Sequence, residues 1–221
     1  MRHFYHVWAA GAWAAPAVEH MTALAGAGFC GQVTVGLVGP PGDRTNARRR
    51  LAPLVPDLGG TLVEWVDCDE GSEQVTLTAL RAWVHANPDD VPVLYAHTKG
   101  ARDQSTWNTN WRRSMTEHVV TDWRRCVSLL AAGYDTVGCH WIRPGDHDCP
   151  HETTSPFYGG NFWWANASYL RRLPPVANAS RFDAEAWIGL ADPHAYDLRP
   201  GWPSEDMFAT ADKGVANAVL K

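Results

Sequence analysis

Residues 97–100, His-Thr-Lys-Gly, hold the side chains best suited to binding a phosphate. They follow the apolar run Val91–Ala96, which is typical of a buried strand. At the carboxyl end of such a strand, a Lys99 ammonium, a His97 imidazole and a Thr98 hydroxyl can hold a phosphate through charge and hydrogen bonds. The glycine frame of a P-loop is missing. The sequence therefore predicts an anion site here, the alternative being that both basic groups are simply solvated at a strand end.

The segment from Pro156 to Ile188 carries an amide and an acid in mostly apolar surroundings. Asn161 follows two glycines at a turn, where its amide can bind a hydroxyl or a phosphate. Glu185 lies among apolar residues, and a carboxylate in a partly desolvated site is suited to act as a general base. We therefore predict that this segment forms one wall of a ligand site. The alternatives are that its aromatic residues are only core and that Glu185 pairs with Arg181 on a helix surface.

Other acids in the chain compete for the same roles. Asp183, Glu205 and Asp206 are alternative candidates for the base, although capping alone explains acids at a helix start. Asp67 and Asp69 are spaced so that two carboxylates can approach one divalent cation. They are weak metal candidates, because short acidic turns between a strand and a helix are common. A requirement for Mn²⁺ or Mg²⁺ stays open and is not expected from the strand-end residues.

Strands alternate with helices along the chain, which predicts a mainly parallel sheet with right-handed crossovers. Ligands bind such sheets beyond the carboxyl ends of the strands, so the loops after Trp8, Val38, Val66 and Ala96 are the expected site. The expected strands are His3–Trp8, Gln32–Gly39, Thr61–Val66, Val91–Ala96 and Tyr134–Trp141, and the expected helices start at Pro16 and span Asn46–Val55, Ser72–Asn87, Thr106–Ala132 and 204–221. Pro40 and Pro41 are expected to stop the second strand.

Composition limits the class of protein. With 221 residues and 45% apolar content, the chain can bury one generous core. The net charge of -5 gives no electrostatic reason to expect nucleic acid, although a local basic face stays open. Five scattered cysteines without a Cys-x-x-Cys pair favour free thiols in a reducing cytoplasm. No apolar run reaches the roughly 18 residues of a membrane span.

Six pieces of the chain together resemble a family of small bacterial and phage glycosyltransferase-like proteins of the nucleotide-sugar-dependent GT-A type. They are His6-Val7-Trp8, Val35–Gly39, Glu73 with Thr76-Leu77, Tyr95–Ala101, Gly160–Ala165, and Arg181 with Glu185-Ala186-Trp187. The resemblance covers nearly the whole chain and implies a GT-A-like (Rossmann-like) α/β fold, in which helices flank a mixed, mainly parallel sheet. It implies one domain over residues 1–221, with a nucleotide-binding half of about 1–105 and an acceptor or catalytic half of about 106–221.

The resemblance also implies roles for individual residues. Ala9, Ala10 and Gly11 would bracket the nucleotide base, Asn161 would touch the sugar, and Glu185 stands where such folds often carry the catalytic base. The donor site implied as a whole comprises Ala9, Ala10, Gly11, Glu73, Thr76, Thr98, Gly100, Gly160, Asn161 and Trp163.

One departure from the family pattern bears on the mechanism. GT-A enzymes usually carry an Asp-x-Asp metal motif at the strand end where this chain has His97-Thr98-Lys99. The resemblance then implies that Lys99 and His97 neutralise the diphosphate instead of a metal. The expected function is transfer of a sugar from a nucleotide sugar to a hydroxyl of a glycan, a lipid-linked glycan or a modified nucleobase, with inversion if Glu185 is an in-line base.

Two alternative functions stay open on the sequence. The missing metal motif fits a non-catalytic module that binds a nucleotide sugar or a glycan. Pairs of arginines such as Arg112-Arg113 and Arg124-Arg125 would suit a phage-type DNA-modifying sugar transferase, although solvated helix faces explain them as well.

Overall fold

Alternating strands and helices build a parallel sheet from the first half of the chain. The computed structural model describes residues 1–54, 63–146, 149, 153–180 and 182–201. Strands β1 to β4 all run in the same direction. Their bounds, with those of the helices between them, are β1 Arg2–Trp8, α1 Ala14–Gly26, β2 Gln32–Val38, α2 Pro41–Leu51, β3 Val63–Cys68, α3 Glu73–Ala86 and β4 Pro92–His97.

The second half of the chain adds shorter strands and a helical layer. Its elements are α4 Thr106–Met115, a π-helical segment Thr116–Thr121, α5 Trp123–Ala131, β5 Thr136–Gly138, β6 Trp141–Ile142, β7 Phe157–Tyr158, β8 Trp163–Asn166, α6 Ala167–Arg172, α7 Phe182–Ala186 and β9 Ala195–Asp197. Short 3₁₀ turns, Ala52–Leu54 and Trp187–Gly189, follow α2 and α7.

In the described part of the chain, seven strands form one sheet in the order β3-β2-β1-β4-β8-β5-β9, and β6 pairs with β7 in a small separate ribbon. Strand β8 is antiparallel to both of its neighbours, β4 and β5, while the other pairs in the large sheet are parallel. The predicted mixed α/β fold with a mainly parallel sheet flanked by helices is therefore confirmed.

Several predicted boundaries were wrong for identifiable reasons. Pro41 begins α2 rather than only ending β2, because proline is well suited to the first turn of a helix. The predicted strand Tyr134–Trp141 is interrupted at His140, which has a positive φ of 61°. Asp197 fixes this bend by accepting hydrogen bonds from the backbone N–H groups of His140 and Trp141 at 2.8 and 2.7 Å. The predicted helix 204–221 lies outside the described residues.

The long helix predicted over Thr106–Ala132 is divided by the π-helical segment. Such a segment widens the helix and changes where its carbonyls point. The carbonyl of Val119 accepts a hydrogen bond from Nε1 of the fully buried Trp164 at 2.8 Å, which ties the helical layer to β8. The polar atom of a large core side chain is thereby satisfied, as burial requires.

The two faces of β1 belong to different parts of the core, because side chains alternate along a strand. Tyr5 and Val7 pack with α1 in one cluster, and Phe4 packs with α3 in the other. All five cysteines are free thiols, as predicted. Within the described residues, every helix is too short or too polar to cross a bilayer.

Buried histidines on both faces of β1 make the fold sensitive to acid. Burial lowers the pKa of His3 and of His6 from 6.5 to about 4. The histidines of the unfolded chain bind protons more readily than the buried ones. The contribution of each buried histidine to the free energy of unfolding is therefore present above about pH 6.5 and is lost as the pH drops towards 4. We expect urea unfolding to show a loss of roughly 2 kcal/mol per histidine at pH 5 relative to pH 7.

Substitutions separate these histidines from other acid effects. His3→Asn should give a shallower dependence of the unfolding free energy on pH between 7 and 5. His85→Asn removes an exposed histidine of α3 and provides the matched control. An unchanged slope in His3→Asn would contradict the assignment.

Candidate functional site

A cavity of about 300 Å³ opens where the strand order reverses, at the carboxyl ends of β1 and β4. Strand β2 lies on one side of β1 and β4 on the other, so the connecting loops diverge and leave a crevice between them. The described residues that line it are His6 and Trp8 of β1, Ser72 and Glu73 at the start of α3, residues 97–103 after β4, Asn108 of α4 and Glu185 of α7.

The antiparallel direction of β8 brings a further turn to this edge. Because β8 runs opposite to β4, it begins where β4 ends, and Trp163 pairs with Tyr95. The turn that precedes β8 contains Gly160 and Asn161, both with positive φ, 86° and 57°. Asparagine is among the few residues with a side chain that adopt this conformation readily. The turn thus lies beside the end of β4, next to the cavity.

Glu73 is an acid of the cavity that is held by two side-chain hydrogen bonds. Its Oε2 accepts hydrogen bonds from the Tyr95 hydroxyl at 2.9 Å and from Asn161 Nδ2 at 2.7 Å. Its Oε1 lies 3.5 Å from Nδ1 of His97. Three elements, β4, the turn before β8 and the start of α3, therefore meet at one carboxylate whose side chain keeps 18% exposure.

The surroundings of Glu73 keep it ionised. Burial alone would raise the pKa of Glu73, but His97, His6 and the hydrogen bonds from Tyr95 and Asn161 outweigh burial and lower it. The pKa of Tyr95 is raised well above its ordinary value by burial, then by Glu73 and Glu185. Tyr95 therefore stays a neutral donor to a charged carboxylate, and its hydrogen bond is of the stronger, charge-assisted kind.

His97 acts as a bridge inside the protein. Its Nε2 donates a hydrogen bond to the Gly160 carbonyl at 3.0 Å, and its Nδ1 faces Glu73. Burial is the largest cause that lowers the pKa of His97, and Lys99 lowers it further against the opposing effect of Glu73. A histidine held in this way fixes the turn before β8 against β4, and both of its ring nitrogens face groups of the protein.

The loop after β4 carries two cations over aromatic rings. Nζ of Lys99 lies 3.8 Å from the ring centroid of Trp111, and the Arg102 guanidinium lies 3.4 Å from that of Trp8. Both distances are within the range of cation–π attraction. The buried Arg112 of α4 donates a hydrogen bond to the Lys99 carbonyl at 3.2 Å and is itself paired with Glu19 of α1 at 2.9 Å. The loop is thereby fixed from both helices.

Glu185 reaches the same cavity from α7. This five-residue helix is held at two carbonyls: Asn161 Nδ2 approaches that of Ala184 at 3.4 Å, and the Ser155 hydroxyl donates to that of Ala186 at 2.7 Å. Glu185 raises the pKa of Tyr95, which places its charge near the Glu73 network. Lys99 and Glu185, 86 positions apart by their numbers, thus line one cavity.

A family model described as "Domain of unknown function (DUF8361)" matches residues 32–186. The chain belongs to the DUF8361 family. The matched range includes β2 to β4, the loop with Lys99 and the helix with Glu185, and so it contains most of the cavity. No curated protein matches the chain.

The DUF8361 chain brings six of its predicted site residues to the cavity lining: Glu73, His97, Thr98, Lys99, Gly100 and Glu185. Thr98 also anchors the loop, because its hydroxyl accepts a hydrogen bond from the Trp8 backbone N–H at 3.2 Å. The predicted convergence of the Lys99 loop and the Glu185 segment around one cleft is what the fold produces.

Other predicted donor residues lie behind the lining. The Thr76 hydroxyl is hydrogen-bonded to Nδ1 of His6 at 2.9 Å, in space left by Gly36, whose absent Cβ would lie 2.0 Å from it. Asn161 is buried, and its Nδ2 donates hydrogen bonds to Glu73 and to the Ala184 carbonyl. Its Oδ1 accepts a hydrogen bond from Trp163 Nε1 at 2.8 Å. These side chains position the lining and do not reach the cavity themselves.

The loop after β1 lies apart from the cavity lining. Ala9 is buried in the core and its N–H donates to the Val38 carbonyl at 2.8 Å. Ala10 and Gly11 are more open and run beside Ala101, whose carbonyl accepts the N–H of Ala12 at 3.3 Å. Gly160 faces inward, with its carbonyl bonded to His97.

The alternative acids have other structural partners. Asp183 accepts backbone hydrogen bonds from Ala179 and Ser180 at 2.7 and 2.8 Å, which caps α7. Asp67 accepts two hydrogen bonds of 2.8 Å from Arg48, and Asp69 pairs with Arg44. Both carboxylates predicted as weak metal ligands are thus engaged by arginines. Glu205 and Asp206 lie outside the described residues.

Sequence reasoning missed several residues of the lining: His6, Trp8, Ser72, Arg102, Asp103 and Asn108. A signal was present for two of them, since Trp8 ends the first strand and His6 shares its face of the sheet. Arg102 and Asp103 follow the predicted anion loop directly. No comparable signal marks Asn108, whose position depends on how α4 packs.

Proposed function

We propose that this chain is a glycosyltransferase that moves a sugar from a nucleotide-sugar donor to an acceptor hydroxyl. The observation that carries the proposal is the cavity at the switch point of the sheet, which has cations on one loop and acids on facing helices. Doubly wound sheets with this order of β1 to β4 bind nucleotides at that position. Strand β8, which runs antiparallel to both of its neighbours in the large sheet, agrees with the mixed sheet expected of a GT-A-like fold.

The residues at the end of β4 do not suit a metal ion. A GT-A metal site needs carboxylate oxygens at this strand end. The chain has His97 turned inward, Thr98 bonded to Trp8 and the Lys99 ammonium near Trp111. A lysine there supplies positive charge itself, and the mechanism below uses no metal.

In the proposed reaction, Glu185 removes the proton from the acceptor hydroxyl while the oxygen of that hydroxyl attacks the anomeric carbon. The bond from that carbon to the diphosphate oxygen breaks, and the diphosphate leaves with the electron pair. Lys99, assisted by Arg102, stabilises the negative charge that develops on the leaving group. Direct displacement of this kind inverts the anomeric carbon. The lowered pKa of Glu73 makes it a weaker base than an ordinary carboxylate, so in this proposal it accepts hydrogen bonds from the sugar rather than the acceptor proton.

A thermal-shift screen against UDP, GDP, TDP and their sugar conjugates, with and without Mn²⁺, tests the ligand class. A ligand that binds the native state stabilises it by about 2.7 kcal/mol at a concentration of 100 times the Kd. This stabilisation raises the Tm. We expect one nucleotide series to raise the Tm without Mn²⁺. Stabilisation without turnover in long incubations would favour a non-catalytic binding module, and no shift with any nucleotide would contradict the proposal.

A further inference from the structure

His6 lines the cavity, although the residue as a whole is only 3% exposed. We propose that His6 binds the ligand and that, together with Glu73, it recognises a single hydroxyl group. Nε2 of His6 donates a hydrogen bond to the hydroxyl oxygen, and Glu73 accepts the hydroxyl hydrogen. This inference rests on the proposed function, in which a nucleotide sugar occupies the cavity, and the hydroxyl belongs to its sugar or to its ribose.

Strand pairing and one face of α3 bring His6 and Glu73 into the same arrangement. The parallel pairing of β1 with β4 places His6 beside His97. Nδ1 of His6 is hydrogen-bonded to Thr76 Oγ1 at 2.9 Å, and Nδ1 of His97 lies 3.5 Å from Glu73 Oε1. Glu73 and Thr76 are three positions apart in α3 and therefore share one face of this helix. Two neighbouring strand residues thus meet two residues that are one helical turn apart.

The Thr76 hydroxyl sets the tautomer of His6. Thr76 is fully buried, and of the described residues only His6 forms a hydrogen bond with its hydroxyl. A buried hydroxyl has one hydrogen to donate, and Nδ1 of His6 is the acceptor within reach. Burial lowers the pKa of His6 from 6.5 to about 4, so the ring is neutral at pH 7. Nδ1 therefore carries no hydrogen, and the ring hydrogen is on Nε2.

Nε2 is the ring nitrogen of His6 that is left for a ligand. No described residue forms a hydrogen bond with it, and it does not belong to the unpartnered polar atoms that are closed off from solvent. Since His6 lines the cavity, this atom reaches solvent there. Strand β1 thus presents a fixed, neutral hydrogen-bond donor to a ligand.

Glu73 supplies the matching acceptor. Its Oε2 is occupied by Tyr95 and Asn161, whereas no described residue donates a hydrogen bond to its Oε1. His97 does not donate to Oε1, because its ring is kept neutral mainly by burial, which lowers its pKa, and the ring hydrogen on Nε2 is donated to the Gly160 carbonyl. Nδ1 of His97 then faces Oε1 as a second acceptor. Oε1 is therefore open to a donor from the ligand.

A hydroxyl fits a donor and an acceptor that stand side by side, because it accepts one hydrogen bond and donates another. An ionised diphosphate only accepts, so it has no hydrogen for Glu73. Removing the recognised hydroxyl leaves both protein groups without their partner, which is costly in a largely buried site. We expect such a ligand to bind at least about tenfold more weakly.

Calorimetry with deoxy analogues tests the inference. The parent ligands are UDP, GDP, UDP-glucose, UDP-N-acetylglucosamine and GDP-mannose. Each diphosphate is compared with its 2′-deoxy and 3′-deoxy forms, and each conjugate with analogues that lack one sugar hydroxyl. One analogue of a parent that binds should lose at least about tenfold in affinity, and its position assigns the hydroxyl to the ribose or to the sugar. If every analogue binds as tightly as its parent, the inference is overturned and the proposed function stands. If no parent binds, both fail.

Two substitutions of His6 separate ligand binding from support of the fold. In His6→Asn the amide can replace Nδ1 beside Thr76, but the side chain does not extend to the position of Nε2. In His6→Gln the longer side chain can place its amide nitrogen at that position. The affinity ratio of parent to deoxy analogue should fall several-fold in His6→Asn and should be largely kept in His6→Gln. Because both ligands bind to the same variant, a loss of stability does not change this ratio.

Thr76→Val provides a second route to the same answer if His6→Asn does not fold, as judged by circular dichroism. Valine keeps the shape of the threonine side chain but lacks the hydroxyl that fixes the tautomer of His6. This variant should also lower the ratio. A ratio that is the same in wild type and in the folded variants would show that His6 does not bind the hydroxyl.

Discussion

Glu185→Gln should lower the rate of sugar transfer by about 10²- to 10⁴-fold, the usual contribution of a general base. Glutamine keeps the shape of the side chain on α7 and its place in the cavity, but it cannot take the acceptor proton. Donor affinity should change little, because binding of the diphosphate depends on the loop after β4. Initial rates at saturating donor, together with the donor Kd, separate the two effects.

Asp183→Asn provides the control on the same short helix. Its carboxylate caps α7 through the backbone N–H groups of Ala179 and Ser180 and does not line the cavity. This variant should lose some thermal stability and keep a near wild-type rate. Glu185 would be excluded as the base if Glu185→Gln kept its rate as well, or if both variants lost activity equally.

Lys99→Ala should reduce kcat by about 10²- to 10³-fold, the cost of removing one group that stabilises charge in a transition state. The ammonium lies 3.8 Å from the Trp111 ring centroid, so it is positioned before the diphosphate arrives. Lys99→Arg keeps the charge but not the compact point-charge geometry, and it should retain part of the activity.

The matched control for Lys99 is Arg113→Ala. Arg113 is an exposed cation of α4 that pairs with Glu19 at 3.1 Å and lies outside the cavity lining. Its removal changes the net charge in the same way and should leave kcat within about twofold, because an exposed ion pair contributes little and Glu19 keeps its bond to Arg112. Equal losses in Lys99→Ala and Arg113→Ala would indicate an effect of net charge rather than of position.

The parallel part of the fold was predictable because its signals are local. Each of β1 to β4 is a short segment rich in apolar residues, and the helices α1 and α3 between them have apolar residues at helical spacing. The position of β8 could not be predicted in the same way. Nothing within Trp163–Asn166 specifies that this strand inserts between β4 and β5 in the reverse direction, because that choice depends on residues about 70 positions earlier in β4.

In the candidate site as well, the features that depend on local sequence were predictable and those that depend on long-range contacts were not. The presence of Lys99 and Glu185 in the cavity lining was predictable from residue type and from the ends of predicted elements. The partner of Asn161 was not, since the hydrogen bond to Glu73 joins residues 88 positions apart. The donor and acceptor atoms of a buried amide form hydrogen bonds with the groups that surround it, and only the packed structure identifies those groups. Asn161 was expected to contact the sugar, but in the structure it supports Glu73 directly and Glu185 through the Ala184 carbonyl.

The reversed strand β8 also has a consequence for how the chain is made on the ribosome. When residues 1–105 have emerged, β1 is available to pair with one edge of β4. The strand that pairs with the other edge, β8, is synthesised some 66 residues after β4 ends. Until then the backbone groups along this hydrophobic edge are open to pairing with other chains. We therefore expect a risk of aggregation while only the first half of the framework around the cavity has been made, and we expect it to end once β8 covers this edge.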